Sequence, residues 1–170
     1  SQIDVLNQDF SATNSDYGNT PSTFTGVASG DINVSFVLDQ IKRKQTTKNS
    51  WQTNDAMKKN SQGGLNPTSP TTKLNLWVCN LAGGVLGYAQ FPGGNQNTDG
   101  VVLDDNATGT TGTAAAPFNK GRTATHEVGH YFGLEHPWGD DGSSCGSGAN
   151  NDGVADTPAI DNPHYECPSF

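Results

Sequence analysis

The eleven residues HEVGHYFGLEH, His126 to His136, constrain this chain more tightly than any other stretch. His126 and His130 are four apart, which on a helix puts both imidazoles on one face, one turn apart, where both can reach one metal ion. Glu127 sits beside them, placed to take a proton from water at the site rather than to bind the metal. Gly133 lets the backbone leave the helix with positive φ, and the turn carries His136 back as a third ligand. Three neutral imidazoles leave one tetrahedral position for water, the catalytic rather than the structural kind of zinc site. At average residue usage the spacing arises by chance on the order of 10⁻⁷ per starting position. A helix whose histidines merely face solvent or core is the competing reading. It is hard to reconcile with a motif holding three of the four histidines in the chain.

The rest of the chain reads as a frame around that helix, which is expected from about Arg122 to Phe132. Ile3, Leu6 and Phe10 recur at helical spacing and predict a helix over residues 1–10. Ile32, Val34, Phe36 and Leu38 alternate and predict a strand over 32–38. NDAMKKN suggests a short helix with Asn54 or Asp55 near its cap. KLNLWVCNL, 73–81, is the most strand-like segment, with both faces expected to be largely buried. GVLGYAQF, 84–91, and VVLDD, 101–105, predict two more strands. The last 35 or so residues, dense in Gly, Asp, Asn and Pro, read as irregular structure. Strands with two or three helices and no internal repeat predict one α+β domain over residues 1–170.

Composition narrows the partners. Nine Lys and Arg against 17 Asp and Glu give a formal net charge of −8, which argues against nucleic acid and against simple adhesion to anionic membranes. No apolar run approaches a membrane span. Twenty-one glycines and 32% hydrophobic residues imply long ordered loops, held by metal ions or disulfides. SQIDVLNQDF lacks the basic start and apolar stretch of a signal peptide, so the chain is expected to begin inside a larger precursor. Cys79 lies in an apolar stretch and is expected to be a buried thiol. Cys145 and Cys167 lie in the irregular tail, where a disulfide would restrain the chain. The odd cysteine count leaves the pairing open. Asp140, Asp141, Asp152, Asp156 and Asp161 lie among Gly and Asn; from the residues alone they read as solvated turn positions.

His-Glu-X-X-His-X-X-Gly-X-X-His is the metzincin zinc motif. With LNLWVCNLAGGVLGYAQFPGG, DGVVLDD, GRTATHEVGHYFGLEHPWGD and NDGVADTP, the chain resembles the pappalysin family of metalloproteases, in its secreted microbial branch. The resemblance implies a metzincin-like catalytic domain: a twisted mixed sheet, an active-site helix and a loop-rich C-terminal part. It implies that His126, His130 and His136 bind zinc and that Glu127 is the general base of peptide-bond hydrolysis. It makes Val85 to Phe91 the upper rim of the cleft, where Val85, Leu86, Gly87, Tyr88 and Ala89 would receive an extended protein or peptide substrate as an added strand. It implies structural calcium near Asp152, the Val154 carbonyl, Asp156 and Thr157, and it matches Cys145 and Cys167 to disulfide positions. Trp138 is expected beneath the zinc site, and His164 has no assigned role. The family fold also has a first strand before residue 1 and a methionine turn after the third histidine. The sole methionine here is Met57, so the resemblance implies a domain truncated at both ends. The remaining segment of the precursor would then be a partner. Two other classes stay open: a metal-stabilised binding or adhesion module without activity, and a hydrolase acting on something other than peptides.

Overall fold

In a computed structural model, residues 1–139, 152–155, 157 and 163 are described. The chain divides into two compact units, Ser1–Phe132 and Gly133–Phe170.

The first unit is built on a short mixed sheet. Strands β1 (Leu76–Cys79), β2 (Gly87–Ala89) and β3 (Val101–Asp104) lie in the order β1-β3-β2. β1 runs parallel to β3, with Leu76 opposite Val101. β2 runs antiparallel to it, with Gly87 opposite Leu103. β3 is buried along its whole length, and its period of two sends alternate side chains to two cores. Val101 and Leu103 join Leu6, Ala124 and Val128 on one face. Val102 joins Trp51, Ala56, Met57 and Leu81 on the other. Each fully buried aliphatic side chain of this kind contributes about 1.5–3 kcal/mol from apolar burial.

The first face of the sheet is covered by two helices, α1 (Gln2–Phe10) and α2 (Arg122–Tyr131). A reciprocal cap, Ser1 with Asp4, starts α1. Phe132 closes α2 by donating its amide to the Val128 and Gly129 carbonyls. α1 falls where the apolar spacing predicts and α2 where the histidine motif does, and the short helix predicted near Asp55 is a 3-10 turn, Ala56–Lys58. Among the described residues no helix is long and apolar enough to cross a membrane.

The predicted strand over 32–38 is not formed. Asn33 adopts φ 58°, which breaks an extended run. The backbone of Phe36 bonds instead to the side chain of Asn7, which accepts from the Phe36 amide at 2.7 Å and donates to its carbonyl at 3.0 Å. One amide side chain thus does what a neighbouring strand edge would do. Phe36 packs edge-on against Phe10, while Val37 is left 88% exposed. The expectation that both faces of 73–81 are buried also fails, because Val78 points outward and is half exposed. Nor is Cys79 a fully buried thiol; it is a free cysteine and only partly covered.

In the second unit Gly133 takes φ 95°. The Gly139 amide donates to the His136 carbonyl at 2.8 Å, closing a turn over 136–139.

Candidate metal centre

Helix α2 presents its site residues as the i, i+4 rule requires. His126 is exposed, whereas Glu127 and His130 are 7% and 8% exposed. The Nε2 atoms of His126 and His130 are 3.0 Å apart, with the rings nearly perpendicular. Two nitrogens bound to one zinc at about 2.0–2.1 Å and a tetrahedral angle stand about 3.3 Å apart, so the pair is already close to a ligating arrangement. Phe91 lies 5.4 Å from the His130 ring, centre to centre, and walls that side.

Glu127 is held against β2. The backbone at Gly87 comes so close that an added Cβ would meet Glu127 Cγ at 2.9 Å and Oε1 at 3.2 Å. Glycine is what allows this approach. A cavity of about 530 Å³ opens beside this pair and is lined by Leu86, Gly87, Phe118, Arg122, His126 and Glu127 among others.

Of the five rim residues named from sequence, Leu86 and Gly87 line that cavity. Val85 and Tyr88 turn their side chains into the second core and Ala89 packs on the first. Tyr88 donates its hydroxyl to Asp55 at 3.0 Å. Burial first, and then the Asp55 carboxylate, push that phenol well above its ordinary pKa. Asp55 also meets the Lys58 ammonium at 3.0 Å. Lys58 is 1% exposed and donates to the Thr98 carbonyl at 2.6 Å. Burial draws its pKa down. This cluster anchors β2 from behind, and no local sequence signal marks it.

The second unit carries His136, whose ring stacks flat on Trp138 at 4.5 Å. Trp138 therefore contacts the third histidine directly. Within the first unit, the His126 and His130 imidazole nitrogens with the Glu127 carboxylate alongside are a donor set that fits zinc. Near the calcium candidates, Asp152 Oδ1 accepts from the Val154 amide at 3.0 Å and the Val154 carbonyl accepts from the Thr157 amide at 3.3 Å, a turn of the ordinary Asx kind. Asp156, the other acidic tail positions, Cys145, Cys167 and His164 lie outside the described residues.

Residues missed from sequence lie behind α2. Asp9 on α1 accepts the Thr125 hydroxyl at 2.5 Å and faces Arg122, and Asp16 accepts from Arg122 Nη2 at 2.6 Å. These partners are more than a hundred residues apart in the chain, beyond any local pattern.

Residues 18–137 match the reprolysin-like family of M12B metallo-peptidases. The chain is 34% identical over 149 residues to an extracellular metalloprotease of Arthroderma otae, covering 82% of this chain and 49% of the relative. It is 32% identical over 174 residues to one of Arthroderma benhamiae, covering 98% and 50%. The chain thus spans about half the length of these curated relatives. Among solved structures, mature mirolysin of Tannerella forsythia in complex with a cleaved peptide superposes with a TM-score of 0.89 at 42% identity, covering 100% of this chain and 67% of that one.

Proposed function

The chain belongs to the reprolysin-like M12B metallopeptidase family, and from that premise we propose that it is the core of a secreted, zinc-dependent endopeptidase of the pappalysin-like branch. The observation that carries the reading is the His126–His130 pair at 3.0 Å with Glu127 buried beside it under Gly87. His126, His130 and His136 would hold the zinc. Bound there, zinc supplies a Lewis acid that acidifies water and stabilises an oxyanion.

The chain's own residues do the rest. Glu127 is placed to accept the proton of the water that attacks the scissile carbonyl and to return it to the leaving amine. β2 is the terminal strand of the sheet order and pairs with β3 on one side. Its outer edge suits an extended peptide, bound antiparallel through the backbone from Val85 to Ala89. Neither a serine nor a cysteine nucleophile takes part. Secretion is supported by the relatives named as extracellular metalloproteases. Calcium at Asp152, Val154, Asp156 and Thr157, a Cys145–Cys167 disulfide and a precursor segment as partner complete the proposal. A lower melting temperature in EGTA that added Ca²⁺ restores is the outcome expected for the calcium site.

The deciding experiment measures zinc content together with casein cleavage, with and without a chelator, for the wild type and Glu127→Gln. About one zinc per chain with chelator-sensitive cleavage lost in Glu127→Gln supports the proposal. Zinc without cleavage in the whole protein would favour a metal-stabilised binding module instead.

A further inference from the structure

The zinc-binding helix has no side-chain cap of its own. Its N-cap is Gly121, at φ 72°. What holds its first turns comes from α1. Gln2 Nε2 donates to the Gly121 carbonyl at 3.0 Å, while its Oε1 accepts from the Gly109 amide at 2.7 Å. Further along α1, the Asp9 side chain is only 4% exposed. Its Oδ2 accepts the Thr125 hydroxyl at 2.5 Å and lies 3.2 Å from Arg122 Nε. The Arg122 N–H is not aimed at that oxygen, so the contact is charge attraction rather than a hydrogen bond. Asp9 Oδ1 is buried and accepts no hydrogen bond.

A carboxylate buried in this way loses hydration, and one hydrogen bond with one ion pair repays only part of it. A neutral contact could hold two helices together without that cost. What the carboxylate adds is direction. It fixes Thr125, the residue immediately before His126 and two before Glu127. Its negative charge also faces the end of α2 where the peptide dipoles are positive.

Resting on the functional reading above, we infer that Asp9 is a positioning residue for the metal site, fixing through Thr125 and Arg122 the turn of α2 that carries His126 and Glu127. Asp9 touches neither metal nor substrate and acts through its neighbours alone.

The test compares the wild type with Asp9→Ala, Asp9→Asn, Thr125→Val and Thr125→Ser, at a temperature where circular dichroism shows each to be folded. Zinc affinity is read by competition with a chromophoric chelator, and site geometry by the d–d absorption of the Co²⁺-substituted protein. Asp9→Ala and Thr125→Val are expected to weaken zinc binding by about tenfold, the scale seen when groups that orient ligands are lost, and to alter the Co²⁺ spectrum. Thr125→Ser keeps the hydroxyl and restores both. Asp9→Asn, which can still accept that hydroxyl, weakens binding less than Asp9→Ala. Should Asp9→Ala fail to fold, Thr125→Val carries the test. Wild-type zinc affinity and spectrum in the folded variants, even with a lowered melting temperature, would overturn the inference alone. A wild type that binds no zinc would overturn the functional reading with it.

Discussion

Replacing Gly87 with alanine isolates the position of Glu127, the proposed general base, from the binding of the metal. The added methyl would stand 2.9 Å from Glu127 Cγ, 3.2 Å from Glu127 Oε1 and 3.0 Å from the Val102 carbonyl oxygen. Non-bonded carbons settle at about 3.5–4.0 Å, so the Glu127 methylene has to withdraw by about 0.6–1 Å. The carbonyl side cannot yield, because Val102 lies in the fully buried central strand. Overpacking of this kind costs about 1–3 kcal/mol in stability. A displacement of about 1 Å at a catalytic group lowers turnover by up to about 10²-fold. His126 and His130 are not among the three nearest atoms, so zinc content is expected to hold at the wild-type value. The assay is kcat and KM on a quenched-fluorescence peptide, with zinc measured by mass spectrometry. The expected result is a kcat about 10²-fold lower with KM and zinc little changed. In a Glu127→Ala background, where Cγ is gone, the same glycine substitution should cost at least about 1 kcal/mol less stability. A folded, zinc-loaded Gly87→Ala protein with kcat within about twofold of wild type would refute the reasoning.

Three further outcomes are expected. Lys58→Ala strips a buried ammonium from Asp55 and the Thr98 carbonyl, which should cost about 3 kcal/mol and lower the melting temperature by about 6–12 °C; a loss below about 1 kcal/mol would show that the charge is dispensable. The Cys79 thiol is pushed up to about 11, by burial first and then by Asp104 and Asp105, so about one in a thousand is ionised at pH 8. Iodoacetamide should modify it only after denaturant is added, and rapid native labelling would contradict this. Asp16 is lowered to about 2 from its ordinary 3.8, by the Asn14 amide first and then by Arg122. The unfolded chain therefore binds the proton first as pH falls, and the stability this carboxylate contributes is present above about pH 4 and lost toward pH 2. Asp16 is partly exposed, so solvent screening keeps the effect small. Denaturant midpoints of Asp16→Asn should vary less across that window than those of the wild type, and equal slopes would exclude the link.

Sequence and structure agree where interactions are local. The His126–His130 pair and the apolar face of α1 depend on residues three or four apart, and spacing alone reveals them. β3 also stands out, because a strand buried on both faces reads as an apolar run. Segment 32–38 has the alternation of a strand without becoming one. Alternation reports a side-chain pattern, whereas a strand also needs a neighbouring backbone, and here Asn7 takes the neighbour's place at Phe36. A strand at Gly87 could be expected from sequence, but its contact with Glu127 could not, since it depends on β2 crossing above α2. The Asp9–Thr125 and Lys58–Thr98 pairs leave no trace in local pattern, for their partners meet only in the folded chain.

The brace from α1 to α2 also bears on the order of assembly. Its hydrogen bonds join residues 116 and 119 positions apart. Closing loops of that length costs entropy before any contact is gained, and contacts so distant in sequence form slowly. During synthesis α1 precedes α2, and the groups that Gln2 and Asp9 hold on α2 are not available until Gly121 to Thr125 leave the ribosome. The histidine-bearing helix accordingly gains its support among the last events of folding. A partly folded chain would then carry His126 and Glu127 without that brace, so under the proposed activity their alignment would come late, as a consequence of chain order alone.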